Sequence, residues 1–125
     1  YGYSAGGTLA VKYALDCNSG ANIDAVICVG SPLDFEAWSF ALANLVVGFG
    51  ENWLAENPRG DILGTNISIL MLHGGADPIV PAAVNQAVHS LYHTTRLVEI
   101  GGGDHALTGK EDIEFAEALK AMLRS

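Results

Sequence analysis

The sequence is poor in positive charge, and what it lacks excludes several classes of partner. Six basic residues stand against 14 acidic ones, which gives a formal net charge of −8. Nucleic acids and anionic lipid surfaces both select basic faces, so the composition argues against either as a partner. The acidic excess itself has two interpretations, an ordinary acidic surface or mild repulsion of anionic substrates.

Cysteine is also scarce, with only Cys17 and Cys28 present. Two cysteines outside any C-x-x-C motif cannot form a disulfide framework, so the chain favours a reducing, cytoplasmic compartment. Cys28 lies in an apolar run, where a cysteine behaves as a small buried side chain. Because no cluster of Cys, His and Asp has metal-ligand spacing, we expect neither a metal nor another cofactor.

Long apolar stretches are absent as well. No run approaches the roughly 18 residues of a membrane span, and the start, Tyr-Gly-Tyr-Ser, lacks the charged region of a secretory signal peptide. Half of the residues are nevertheless hydrophobic, which is typical of a globular chain. We therefore expect one domain over residues 1–125, with neither a membrane span nor a signal.

Short β-branched runs alternate with stretches of helical periodicity. The pattern predicts strands over 24–30, 67–73 and 96–100, and helices over 8–17, 81–92 and 110–123. Such alternation is typical of an α/β fold, with a parallel sheet of about three strands here, flanked by helices and joined by right-handed crossovers.

One connection is too long for this simple alternation. Residues 35–65 contain an apolar helix over 36–47 and then a stretch rich in Gly, Asn and Pro over 48–64. Connections longer than about 15 residues are usually functional insertions or mobile loops. The segment is interpreted as a small cap insertion.

The chain begins with a short motif that can carry chemistry. Gly2-Tyr3-Ser4-Ala5-Gly6 matches the pattern G-x-S-x-G, and Gly7 follows. In a nucleophile elbow the serine lies on a strained strand-to-helix turn, and glycines two residues to either side relieve crowding. The pattern alone is weak evidence, and a Gly/Ser turn at a helix start is the alternative. The helical periodicity directly after it favours the elbow.

A serine nucleophile needs a base and a carboxylate. His105, at the end of Gly-Gly-Gly-Asp-His after the last predicted strand, is the candidate base. Asp77, in the loop after the second predicted strand, is the candidate acid, because α/β sites assemble at the carboxyl ends of parallel strands. Asp34 is the rival acid, and Asp104 is poorly placed because it adjoins His105. The alternatives are a surface histidine and an Asx-turn aspartate.

From the elbow to its end the chain resembles the α/β-hydrolase superfamily. The order Ser, Asp, His is that family's order. The segment Leu-His-Gly-Gly-Ala-Asp-Pro-Ile-Val-Pro at 72–81 is similar to the acid loop of dienelactone-hydrolase-like, lipase-like and serine-aminopeptidase-like members. The resemblance implies that Ser4 is the nucleophile, Asp77 the orienting acid and His105 the base, with the Ala5 N–H as half of the oxyanion hole.

The resemblance also implies a function and an incomplete fold. The family places several strands before the elbow, so we expect the C-terminal part of such a domain, with an unpaired edge at 24–30. Serine at position 4, where a dienelactone hydrolase proper carries cysteine, favours an esterase or lipase that cleaves a small-molecule ester through an acyl-enzyme. The alternatives are a peptidase of the aminopeptidase or prolyl-oligopeptidase-like group and a non-catalytic binding module. Of the remaining histidines, His73 is predicted to be structural, and His89 and His93 to be solvated.

Overall fold

The computed structural model describes residues 1–16, 23, 25–41, 58, 62, 67–92 and 94–124. In chain order its elements are β1 (Gly2–Tyr3), α1 (Ala5–Asp16), β2 (Ala25–Val29), α2 (Phe35–Ala41), β3 (Ser68–Gly74), α3 (Ala82–Leu91), β4 (Thr95–Ile100) and α4 (Glu111–Arg124). Within the described residues, no helix is long and apolar enough to span a membrane.

The four strands form one parallel sheet in the order β1-β2-β3-β4. In the register, Val29 of β2 pairs with Tyr3 of β1 on one side and with Leu72 of β3 on the other, and Leu72 pairs with Val98 of β4. The central strands β2 and β3 are buried along most of their length, as parallel strands covered on both faces are. The predicted α/β class with a parallel sheet is confirmed.

The sheet has one strand more than the roughly three expected, because the two-residue β1 precedes them. Gly2 and Tyr3 pair with Cys28 and Val29, so the edge of β2 that was expected to be unpaired is covered at its carboxyl end. A two-residue strand is too short to show an alternating pattern, and this is why the sequence did not indicate it.

Alternating side chains of the strands build a separate apolar core on each face of the sheet. Val26 and Cys28 point into the cluster that packs against α1 and α3, whereas Ile27 and Val29 point into the cluster that packs against α4. Helices therefore cover both faces, and the carboxyl ends of the strands stay open for the loops that follow them.

The long connection is described only in part. The predicted helix over 36–47 begins at Phe35 and is described as α2 to Ala41. Asp34 precedes it, and Asp34 Oδ1 accepts the N–H groups of Glu36 and Ala37, which caps the helix. Most of 42–66 lies outside the described residues, so the cap insertion stays a prediction.

Candidate active site

Ser4 occupies the single-residue turn between β1 and α1. Its φ is 49°, in the left-handed region that residues other than glycine seldom adopt. The Ser4 N–H donates to Val29 O at 2.7 Å, and Ser4 O accepts the N–H groups of Gly7 and Thr8 at 3.0 and 3.2 Å. The turn therefore holds a strained serine at the carboxyl end of the sheet and at the start of a helix.

The glycines that make this turn possible are Gly2 and Gly7. A Cβ at Gly2 would lie 2.5 Å from Gly7 N, and a Cβ at Gly7 would lie 2.0 Å from Ser31 Oγ and 2.7 Å from Cys28 Cβ. A Cβ at Gly6 would meet nothing within 4 Å. The expectation that Gly6 relieves crowding is therefore wrong: Gly7 has this role, because α1 packs against the end of β2 there.

The strand that leads into Ser4 is fastened to α4. The hydroxyl groups of Tyr1 and Tyr3 both donate to Oε2 of Glu114, which is buried. Burial, followed by the bond to Glu114, raises the pKa of Tyr1, and the bond to Glu114 is the main cause that raises the pKa of Tyr3. Both hydroxyls thus remain protonated donors, and the start of the elbow is tied to the helix that follows the His105 loop.

Ser4, His105 and Asp77 form one continuous hydrogen-bonded group, which we call the Ser–His–Asp cluster. His105 Nε2 lies 2.9 Å from Ser4 Oγ, and His105 Nδ1 lies 2.8 Å from Asp77 Oδ2. A carboxylate only accepts, so Nδ1 carries the proton and Nε2 is left to accept the serine hydroxyl. The structure thus brings together the three residues named from the sequence, in the orientation that base-assisted attack by serine requires.

The carboxylate of Asp77 is held by the loop that carries it. Its side chain is fully buried, and Oδ1 accepts the N–H groups of Ile79 and Val80 at 2.8 and 2.9 Å. Buried charge is costly unless it is hydrogen-bonded, and these two bonds also direct the other oxygen, Oδ2, towards His105.

The two rival carboxylates have other partners. Asp34 caps α2, as described above, and Asp104 Oδ1 accepts the N–H of Thr108 at 2.8 Å. This bond is the main cause that lowers the pKa of Asp104. Both ring nitrogens of His105 are occupied by Ser4 and Asp77, so the carboxylate that is hydrogen-bonded to this ring is that of Asp77.

Close backbone contacts bring the histidine loop over the sheet. Gly30 has a φ of 59°, and a Cβ there would lie 2.8 Å from His105 O and 3.4 Å from Asp77 Oδ2. A Cβ at Gly74 would lie 2.3 Å from the carbonyl oxygen of Gly103. The sequence reasoning missed Gly30, and its only signal was a glycine that ends a buried strand.

A buried leucine anchors the same loop. Leu107 is fully buried in the α4-side core, its N–H donates to Asp104 O at 3.3 Å, and its O accepts the N–H of Lys110 at 2.9 Å. His105 is therefore held between a strand end and an apolar anchor, although the loop is rich in glycine.

Ala5 begins α1 beside the serine. The N–H groups of the first helical turn have no acceptor within the helix, and the positive end of the helix dipole lies there. An N–H at this position could donate a hydrogen bond to negative charge that develops next to Ser4, and the role of Ala5 as half of an oxyanion hole stays a prediction.

The other histidines lie outside the cluster. His73 is fully buried behind Asp77, His89 is exposed on α3 with Nδ1 facing Thr95 O at 3.2 Å, and His93 lies outside the described residues. Across the described ranges, no group of three or more His, Cys, Asp or Glu side chains could hold a metal ion.

Solved structures of hydrolases share this fold. The esterase domain of a Rhodothermus marinus protein is 23% identical to this chain, with a TM-score of 0.71. The alignment covers 98% of this chain and 58% of that one. Est1E from Butyrivibrio proteoclasticus is 18% identical with a TM-score of 0.76, at 98% and 58% coverage. The meta-cleavage product hydrolase of Pseudomonas fluorescens IP01 is 15% identical with a TM-score of 0.66, at 98% and 63% coverage.

These likenesses define the fold. The chain has the α/β-hydrolase fold, and it spans about half to two thirds of the length of these and related solved structures, from 48% to 66%. It corresponds to part of that fold. No family model and no curated protein matches the sequence.

Proposed function

We propose that the chain carries the catalytic residues of a serine hydrolase that cleaves carboxylic esters through an acyl-enzyme. The observation that supports this most directly is the unbroken series of hydrogen bonds from Ser4 Oγ through His105 to Asp77. The strained φ of Ser4 supports it further, because strain of this kind is retained where function requires it.

Each chemical step uses groups of the chain itself. Ser4 Oγ attacks the ester carbonyl carbon while its proton passes to His105 Nε2, and the tetrahedral intermediate collapses when that proton moves to the leaving alcohol. Water then gives a proton to Nε2 and attacks the acyl group, and the returning proton releases the acid and restores Ser4. Asp77 stabilises the positively charged imidazole and fixes its orientation.

The Ala5 N–H is proposed to bind the oxyanion of both tetrahedral intermediates. A single donor of this type contributes about 3 kcal/mol to transition-state stabilisation. In α/β-hydrolases the second donor comes from a loop that precedes the nucleophile in sequence. The full rate is therefore a property of the intact protein.

An ester is the proposed substrate class because the chemistry is acyl transfer and solved structures of similar fold include named esterases. A peptidase would use the same cluster on an amide. The two are separated by substrate: p-nitrophenyl esters of increasing acyl length against aminoacyl p-nitroanilides, measured on the intact protein.

A fluorophosphonate probe tests the nucleophile directly, because it labels only an activated serine. We expect labelling of the intact protein at Ser4, none in Ser4→Ala, and normal labelling in Ser90→Ala, an exposed serine on α3. A folded wild-type protein that stays unlabelled would make the chain a non-catalytic module. Labelling that survives Ser4→Ala would place the nucleophile elsewhere.

A further inference from the structure

His73, the penultimate residue of β3, lies beside the buried carboxylate of Asp77. The His73 side chain is fully buried. Its Nε2 lies 2.7 Å from Val80 O and 3.5 Å from Asp77 Oδ2, and its Nδ1 lies 3.2 Å from Asn85 Nδ2. The reaction described above makes no use of this buried imidazole.

The partners of Asn85 fix the proton of this ring. Asn85 Oδ1 accepts the N–H of Leu33 at 3.2 Å, and Asn85 Nδ2 donates to Ser31 O at 2.7 Å, so the amide can point in one way only. The second hydrogen of Nδ2 then points at His73 Nδ1, which must accept it. Val80 O can only accept, so His73 Nε2 carries a proton and the ring is neutral.

The Nε2–H of His73 acts on Asp77 by two routes. It holds the carbonyl of Val80, whose own N–H holds Asp77 Oδ1 at 2.9 Å. It also lies near Oδ2, the oxygen that binds His105. Val80 is thus fixed through both its carbonyl and its amide, and the acid loop is tied to the end of β3.

We propose that His73 is a positioning residue, which holds the Asp77 carboxylate in register with His105 through its Nε2–H. The inference rests on the proposed function of the cluster. Without this donor, Val80 O would be buried and unpaired, and the loop would relax away from β3. Catalysis is sensitive to such shifts, since a misplacement of about 1 Å costs about 100-fold in rate.

The sharpest test compares two amides at position 73. In His73→Gln the side-chain nitrogen reaches the position of imidazole Nε2, so the donor to Val80 O is kept. In His73→Asn the shorter amide reaches only the position of Nδ1, so the contact with Asn85 is kept and the donor is lost. His89→Gln and His89→Asn, at the exposed histidine of α3, are the matched controls.

For the intact protein we expect kcat of His73→Asn to fall about 100-fold and that of His73→Gln to stay within about tenfold of wild type, with KM changed by less than about twofold in both. Both His89 variants should match wild type. A role in packing alone would instead lower the stability of both His73 variants without separating their kcat values.

A second readout does not need turnover. The proton between His105 Nδ1 and Asp77 should give a strongly downfield ¹H NMR resonance, retained in His73→Gln and lost or shifted in His73→Asn. A wild-type protein with this resonance but no esterase activity would contradict the proposed function and leave the positioning role to be judged by the spectrum. Equal kcat values and equal spectra for the two variants would overturn the inference. If His73→Asn does not fold, a retained resonance in His73→Gln supports the inference and a lost one overturns it.

Discussion

The loops after β2 and β3 each contain an aspartate that makes the same local turn. Asp34 Oδ1 accepts the N–H groups two and three residues further on at 3.1 and 3.2 Å, and Asp77 Oδ1 does the same at 2.8 and 2.9 Å. Both residues are buried. They differ in the partner that matters for chemistry, because Asp77 Oδ2 binds His105.

Strand order explains the difference between the two loops. β4 pairs with β3, and Gly74 lies opposite Ile100 at the end of both strands, so the loop after β4 starts beside the loop after β3. To reach Ser4, which follows β1, His105 must pass over the end of β2. The β2 loop therefore supplies the space above Gly30, and the β3 loop supplies the carboxylate.

The largest expected effect tests the cluster on which this comparison depends. Ser4→Ala and His105→Ala should each lower kcat of the intact protein about a millionfold, and the double variant should be little worse, because nucleophile and base act as a unit. Ester hydrolysis under saturating substrate gives the three values. Losses that multiply in the double variant would show that the two residues act independently.

Matched substitutions of the two aspartates test the comparison itself. Asn keeps the Oδ1 acceptor at both positions, so Asp77→Asn and Asp34→Asn should retain the local turn and similar thermal stability. Asp77→Asn removes the charge opposite the imidazole and should lower kcat about 10⁴-fold, whereas Asp34→Asn should change kcat by less than about tenfold. If the two variants exchange these effects, Asp34 is the acid.

Glycines in the two loops provide a third test. Gly30→Ala places a Cβ 2.8 Å from His105 O on a backbone with positive φ, so we expect about 1 to 3 kcal/mol of lost stability and a lower kcat. Gly75→Ala meets its nearest atom, Ile100 O, at 3.4 Å and should behave as wild type. Thermal melts and ester assays measure both, and an active, stable Gly30→Ala protein would contradict the described path of the histidine loop.

The smallest expected effect concerns Asp104. Its folded-state pKa is lowered mainly by the Thr108 N–H, so its contribution to stability is present above about pH 4 and is lost as the pH falls through the lowered pKa. Asp104→Asn should therefore lower Tm slightly at pH 7 and by progressively less as the pH falls through the lowered pKa, with kcat nearly unchanged. A large loss of kcat would mean that Asp104 contributes to the site.

The sequence predicted the elements whose periodicity is long and regular, and it missed those that depend on close approach. The strands predicted over 24–30 and 67–73 correspond to β2 and β3, because runs apolar on both faces are typical of central parallel strands. β1 was missed because two residues carry no period. The close contacts at Gly7 and Gly30 and the hydrogen bond between His73 and Asn85 were missed because they form between segments distant in sequence.

The two rival acids illustrate the same limit. Turn chemistry is local and readable, so both Asp34 and Asp77 were candidates. Their difference depends on which strand lies beside β4, and that order is a tertiary property. Asp77 was preferred for its place in the loop after the second predicted strand, and the resemblance of the loop at 72–81 to a known acid loop then supported the same choice.

The open space around Gly6 has a consequence for how elbows of this kind are recognised in databanks of uncharacterised genes. An alanine fits at position 6, whereas the Cβ of an alanine at position 2 or 7 would clash with neighbouring atoms. A search that demands glycine at the fifth place of the pattern would reject functional homologues with alanine there. A search that demands glycine at the sixth place would remove chance matches, because α1 meets β2 there and leaves no room for a side chain.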